Sequence, residues 1–154
     1  MIARQNLSSL GNLKILSIQS NRLSQISGLS SLASLEELYV SHNALTSLSG
    51  LEENLGLRVL DISNNQITNL TNLKHLVKLE ELWASSNQLS SFEEVEKELA
   101  DKQELATVYF EGNLLQLRNP TLYRNKVRLA LPQVKQIDAS TCKATSLIVY
   151  RPSC

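Results

Sequence analysis

Apolar residues recur along this chain in two alternating rhythms. In the first, a nine-residue stretch has apolar first, fourth and sixth places and ends on asparagine. The copies are LKILSIQSN (Leu13–Asn21), LEELYVSHN (Leu35–Asn43), LRVLDISNN (Leu57–Asn65), LEELWASSN (Leu79–Asn87) and LATVYFEGN (Leu105–Asn113), in the last of which Val108 and Phe110 fill the inner places. Side chains alternate across a strand, so the fourth and sixth places point inward and the third, fifth and seventh outward. In the second rhythm every third residue is apolar: Leu23, Ile26, Leu29 and Leu32, then Leu45, Leu48 and Leu51, then Ile67, Leu70, Leu73 and Leu76. That period suits short 3₁₀ turns and predicts a thin, helix-poor return limb. Asn54 breaks the second series, and Leu55 is expected to take over its packing through a local shift.

The five closing asparagines, Asn21, Asn43, Asn65, Asn87 and Asn113, are 22, 22, 22 and 26 residues apart. Five copies in register at this period are the leucine-rich-repeat signature. The turn after each strand leaves backbone groups buried between stacked repeats, and an amide with donors and an acceptor can satisfy them. The predicted fold is therefore α/β: a leucine-rich-repeat solenoid with a parallel sheet on the concave face, a mostly 3₁₀ or loop convex side, and a C-terminal helical cap. Leu7, Leu10 and Leu13 repeat the spacing of Leu29, Leu32 and Leu35, so the chain opens on a return limb. A terminal repeat needs a polar cap, and none is read here, so the array is expected to be truncated at its N-terminus.

The four extra residues of the fourth limb predict a true helix from Ser91 to Leu99. Ser91 and Glu94 form a capping box, Phe92, Val95 and Leu99 share the inner face, and Glu93–Lys97 and Glu98–Lys102 pair on the wet side. Asn119-Pro120 opens a second helix running through Leu131, which Pro132 ends. Leu122, Tyr123, Val127 and Ala130 are expected to cover the end of the core, with Arg124, Lys126 and Arg128 facing water. Val134, Ile137 and Asp138 supply a last strand-like segment. The expected divisions are residues 1–118 (repeats), 119–139 (cap) and 140–154 (a loose tail).

The chain has 154 residues, 15 basic and 15 acidic, a formal net charge of zero and a pI near 6.7. One domain with a continuous core fits that length. Neutrality gives little support to nucleic acid as a partner. No apolar run is long enough to span a membrane, and no signal-peptide pattern opens the chain. Cys142 and Cys154 lie outside every repeat, so no disulfide staples the repeats or cap. Asn6-Leu7-Ser8 and Asn69-Leu70-Thr71 match a glycosylation acceptor, a triplet common by chance in such a composition. These features together predict an intracellular protein.

Catalytic chemistry is not expected. His42 and His75 have no partner at ligand spacing, the five glycines are scattered and form no phosphate loop, and no serine has a partnered base. Neither a metal nor a cofactor is called for. The outward places are more informative: Ile15, Glu37, Val59, Glu81 and Thr107 (third), Ser17, Tyr39, Asp61, Trp83 and Tyr109 (fifth), and Gln19, Ser41, Ser63, Ser85 and Glu111 (seventh). These fifteen positions hold Glu37, Asp61, Glu81 and Glu111 but no Lys, Arg or His, together with the only Trp and two of the four Tyr. An aromatic row bordered by carboxylates has the composition of a protein hot spot that selects a basic partner. Solubility alone would also account for the acids.

The run LSIQSNRL, LEELYVSHNAL, LDISNNQI and ELWASSNQL, followed by TVYFEGN and LALPQVKQIDA, resembles the leucine-rich-repeat regulatory subunits of protein phosphatase 1 over roughly residues 2–139. The resemblance implies a non-catalytic, nuclear and cytoplasmic scaffold, monomeric, that grips the phosphatase catalytic subunit with its concave face and regulates it. The family's contact places fall on Asp61, Glu81, Trp83 and Tyr109, with Glu37, Tyr39 and Glu111 added by the outward-facing count. Leu114 departs from the family's cap, where proline is usual, the segment before Tyr123 is slightly longer, and residues 140–154 have no counterpart. The alternative is a leucine-rich-repeat component of a ribonucleoprotein (splicing) particle or another intracellular adaptor, bound through the basic residues of the capping helix.

Overall fold

The alternation within each nine-residue stretch becomes a three-residue strand. The computed structural model describes Leu7 and residues 9–141, with β1 (Ile15–Ser17), β2 (Glu37–Tyr39), β3 (Val59–Asp61), β4 (Glu81–Trp83), β5 (Thr107–Tyr109), β6 (Gln136–Ile137) and β7 (Ser140–Thr141). They form one sheet in chain order, parallel from β1 to β6 and antiparallel between β6 and β7. The register pairs equivalent places, so Leu38, Leu60, Leu82, Val108 and Ile137 form one inward column, all wholly buried. Val40, Ile62, Ala84 and Phe110 make the next buried layer. The return-limb leucines close the core from the other side.

The asparagines form a ladder from coil to coil. Asn43, Asn65, Asn87 and Asn113 accept through Oδ1 from the backbone N–H of Leu23, Leu45, Ile67 and Leu89 in the coil before, at 3.0–3.1 Å. Their Nδ2 groups donate both to a carbonyl of their own turn and to one in the preceding coil, as Asn65 does to Ile62 (2.9 Å) and Val40 (3.2 Å). The residue before each asparagine is left-handed: Ser20, His42, Asn64, Ser86 and Gly112 have φ of 55–77°. Glycine is needed at Gly50, where φ is +107° and a Cβ would sit 2.2 Å from the Ile26 carbonyl oxygen.

The return limbs carry no continuous 3₁₀ helix among the described residues. They are tiled from single turns, each closed by an N–H bonding the carbonyl three residues back, as in Leu32→Leu29 and Leu35→Leu32. Bonds every third residue leave the intervening backbone free to follow the coil, whereas a helix would need them at every residue. Asn54 does not shift out of the series: it is buried, and its Nδ2 donates to Leu29 O (2.9 Å) and Leu32 O (3.3 Å) of the coil before. Leu55 is exposed instead, and the buried amide adds a second donor to two carbonyls that already accept from Leu32 N and Leu35 N, tying this coil to the one before.

Helix α1 (Phe92–Leu99) starts as expected, with Ser91 Oγ accepting from Glu94 N at 3.2 Å. The reciprocal half of the box is not made, and Glu94 Oε1 is without a partner. The Glu98–Lys102 pair is not on the wet side. Both residues are buried; Glu98 accepts from Leu73 N (3.2 Å) and Lys102 Nζ donates to Lys74 O (3.1 Å). Both serve the backbone of the previous return limb. Burial pulls the Lys102 ammonium below lysine's ordinary value.

The cap contains α2 (Leu114–Leu117), which the sequence pattern does not mark, and α3 (Pro120–Ala130), capped by Asn119 Oδ1. Tyr123, Val127 and Ala130 cover the core end as expected, but Leu122 is exposed. Arg124 turns inward, donating to Ile137 O (3.0 Å) and lying 3.7 Å from Asp138 Oδ2. Asp138 continues the ladder with a carboxylate, accepting from Phe110 N (2.9 Å), Glu111 N (3.1 Å) and Tyr123 Oη (2.9 Å). Burial and this carboxylate push the Tyr123 hydroxyl well above its ordinary value. Ser140 and Thr141, expected to begin a loose tail, pair with β6. Cys142, Cys154 and the Asn6-Leu7-Ser8 triplet as a unit lie outside the described residues.

Candidate functional site

Strand register brings Tyr39, Asp61, Trp83 and Tyr109 into one row across the outer face of the sheet. Side chains two strands apart start about 9.6 Å from each other, yet the Tyr39 and Trp83 rings approach to 6.5 Å between centroids, edge to face. They lean together over the strand between them. Asp61, expected on the open face, is consequently buried at 4% exposure, its Oδ1 accepting from Ser63 N (3.0 Å) and its Oδ2 from Gln19 Nε2 (3.4 Å). Trp83 continues the aromatic row to Tyr109 at 5.6 Å.

Each polar tip of the row is held. Tyr39 Oη donates to Glu37 Oε2 (2.7 Å), Trp83 Nε1 donates to Glu81 Oε2 (3.0 Å), and Tyr109 Oη accepts from Gln136 Nε2 (2.9 Å). Third-place side chains, the carboxylates of Glu37 and Glu81 and the amide of Gln136, therefore fix the aromatics at the fifth, and the rings present a preformed surface. Trp83 keeps 36% of its surface exposed, Glu37, Tyr39, Glu81 and Tyr109 are half-buried, and Glu111 at the seventh place is exposed. Gln136 escapes the sequence pattern because β6 lacks the nine-residue stretch. Its register with Thr107 makes it the sixth third-place residue.

The bond to Glu37 is the main reason that the Tyr39 phenol is pushed up to about 12, helped by burial and by the charges of Glu37, Glu81 and Asp61. The protonated phenol is favoured by folding, so its stabilisation is whole below the ordinary value of 10.0 and is lost as pH rises through about 12. An ultraviolet absorbance titration of the parent minus Tyr39→Phe should show one phenol ionising near 12. Ionisation at 10.0 would mean that the Glu37 bond is absent in solution.

Among the described residues no group of three or more His, Cys, Asp or Glu side chains is placed to hold a metal ion. His42 is exposed in its left-handed turn, and His75 bonds the Leu51 carbonyl through Nε2 at 2.9 Å. No helix of the described residues is long and apolar enough to cross a membrane.

The family model for Leucine Rich repeats (2 copies) matches residues 11–53 and 56–97, more than half of the chain. The chain belongs to the leucine-rich-repeat family. Among curated proteins, this leucine-rich-repeat chain is 61% identical over 56 residues to Protein phosphatase 1 regulatory subunit SDS22 of Schizosaccharomyces pombe, covering 36% of the chain and 17% of that protein. It is 50% identical over 51 residues to the protein of the same name in Saccharomyces cerevisiae, covering 32% and 15%. The chain thus spans less than a fifth of either relative. Among solved structures, an internalin (inlF) of Listeria monocytogenes superposes with a TM-score of 0.71 at 22% identity, covering 88% of this chain and 37% of that one, which shows the fold alone. A leucine-rich-repeat protein of Leptospira interrogans gives 0.69 at 25% identity, covering 84% and 32%.

Proposed function

We propose that this chain is a non-catalytic scaffold that binds the catalytic subunit of protein phosphatase 1 through its concave face and regulates it. The observation that carries the reading is the continuous Tyr39–Trp83–Tyr109 row, partly exposed, with Tyr39 and Trp83 tied to acids and Tyr109 to Gln136, on a sheet face without a base. Large rigid aromatics supply contact area at low entropic cost, and the carboxylates steer and orient a basic partner surface. The curated relatives' names supply the identity of that partner. They do not favour the ribonucleoprotein alternative. On this reading the protein acts as a monomer, in the nucleus and cytoplasm, needs no cofactor, and engages neither membrane nor nucleic acid.

Surface plasmon resonance with purified protein phosphatase 1 catalytic subunit tests it: saturable binding is expected, and its absence would sink the proposal. Glu81→Gln separates the electrostatic part, since it keeps an acceptor for Trp83 Nε1 and removes the charge. The association rate at low salt should fall about threefold or more and its salt dependence should flatten. An unchanged rate would leave Glu81 only its positioning role.

A further inference from the structure

Two places on this neutral chain gather charge of a single sign. The outer sheet face carries four acids and no base, whereas residues 112–137 carry Arg118, Arg124, Lys126, Arg128 and Lys135 and not one of the fifteen acids. In that same segment three large apolar side chains face solvent: Leu117 (61% exposed), Leu122 (46%) and Leu129 (81%). Leu122 and Leu129 are seven residues apart on α3, so they lie on one stripe with Asn125 and Lys126 between them, about a third of a turn round the helix from the buried Tyr123, Val127 and Ala130. Apolar residues at this spacing serve no purpose in the cap's own packing, which the other face completes.

We infer that the outer face of α3 is a second docking surface, which takes an acidic amphipathic helix of another protein, independently of what occupies the sheet. The stripe through Leu122 and Leu129 has the spacing of a helix–helix seam, and Lys126 and Arg128 flank it. Among the described residues the ion pairs are Lys14–Glu36, Arg58–Glu36, Arg58–Glu80 and Arg124–Asp138, and Arg118, Lys126 and Arg128 pair with no described acid. The acids of α1, which packs against α3, are Glu93, Glu94, Glu96 and Glu98, and none of them is in a salt bridge with α3; Lys126 lies instead over the Phe92 ring at 5.3 Å. A helix with leucines on one face and carboxylates beside them complements both properties. A lipid surface fits less well, because Arg124 is drawn inward to Ile137 and Asp138 and only a narrow stripe is apolar.

The test titrates the isotopically labelled full chain with a capped peptide of about 18 residues, long enough to hold a helix, bearing leucines at helical spacing and glutamates elsewhere. Amide shifts are expected to cluster on residues 117–129. Leu129→Glu and Lys126→Glu, both at exposed positions, should each weaken binding by about tenfold, with Trp83→Ala within about twofold of the parent. The same peptide with lysine for glutamate should not shift these residues, nor should phosphatidylserine vesicles bind through them. Silence of α3 toward the acidic peptide, equal binding of the lysine peptide, or Leu129-dependent uptake by vesicles would each overturn the inference.

Discussion

Asn65→Leu lowers the unfolding free energy by about 2–4 kcal/mol, and Asn21→Leu by less than about 1 kcal/mol, in urea titrations followed by circular dichroism. The two residues occupy the same place in the repeat. Asn65 is buried, and its loss strands the buried N–H of Leu45 while the carbonyls of Val40 and Ile62 each lose one of two donors. Those carbonyls keep Asn43 and Asn87, so the deficit is one orphaned donor plus two weakened acceptors. Asn21 is exposed and bonds only its own turn, where water replaces it. Because each coil contacts only its neighbours, the damage at Asn65 falls on the interface with the coil before it. Equal losses in the two variants would show that the asparagines act within single turns and that no ladder couples the coils.

Trp83→Ala weakens binding of the phosphatase catalytic subunit by about 2 kcal/mol or more, roughly thirtyfold, while leaving the urea midpoint close to the parent's. The indole is the middle member of the aromatic row and touches both neighbouring rings, so its removal takes away contact area and also the wall against which Tyr39 and Tyr109 rest. It also uncovers the Asp61 carboxylate, which then meets water rather than a ring edge. The fold depends little on it, since the core column runs through Leu60 and Leu82 on the opposite side of the same strands. Calorimetry or surface plasmon resonance reads the loss. Affinity equal to the parent's would remove the sheet face from the proposal.

Much of the row is legible in the alternation of the chain. Trp83, Tyr109, Glu81 and Glu37 follow from counting places in a strand whose alternation is strict, and the register of the sheet follows from the 22-residue spacing. Counting puts Asp61 in the right row but at the wrong depth, because the lean of two rings across an intervening strand depends on their volumes and not on alternation. Gln136 escapes for a related reason: its place is defined by pairing with Thr107 and not by the residues around it. Leu122 fits an apolar pattern that reads the same whether the stripe meets the core or solvent.

Local rhythm is enough to specify coil period, strand position, inward column and the two longer helices, since alternation, threefold spacing and end caps involve residues within one turn of each other. Which backbone groups a side chain can reach in another coil is a property of two coils in contact, and the side chains that bond them carry no local signature. Asn54 serves Leu29 and Leu32, Glu98 serves Leu73, Lys102 serves Lys74, and Asp138 serves Phe110 and Glu111, all more than twenty residues away in the chain. A buried polar group takes whatever partner lies within about 3 Å, and only the stacked structure brings that partner there.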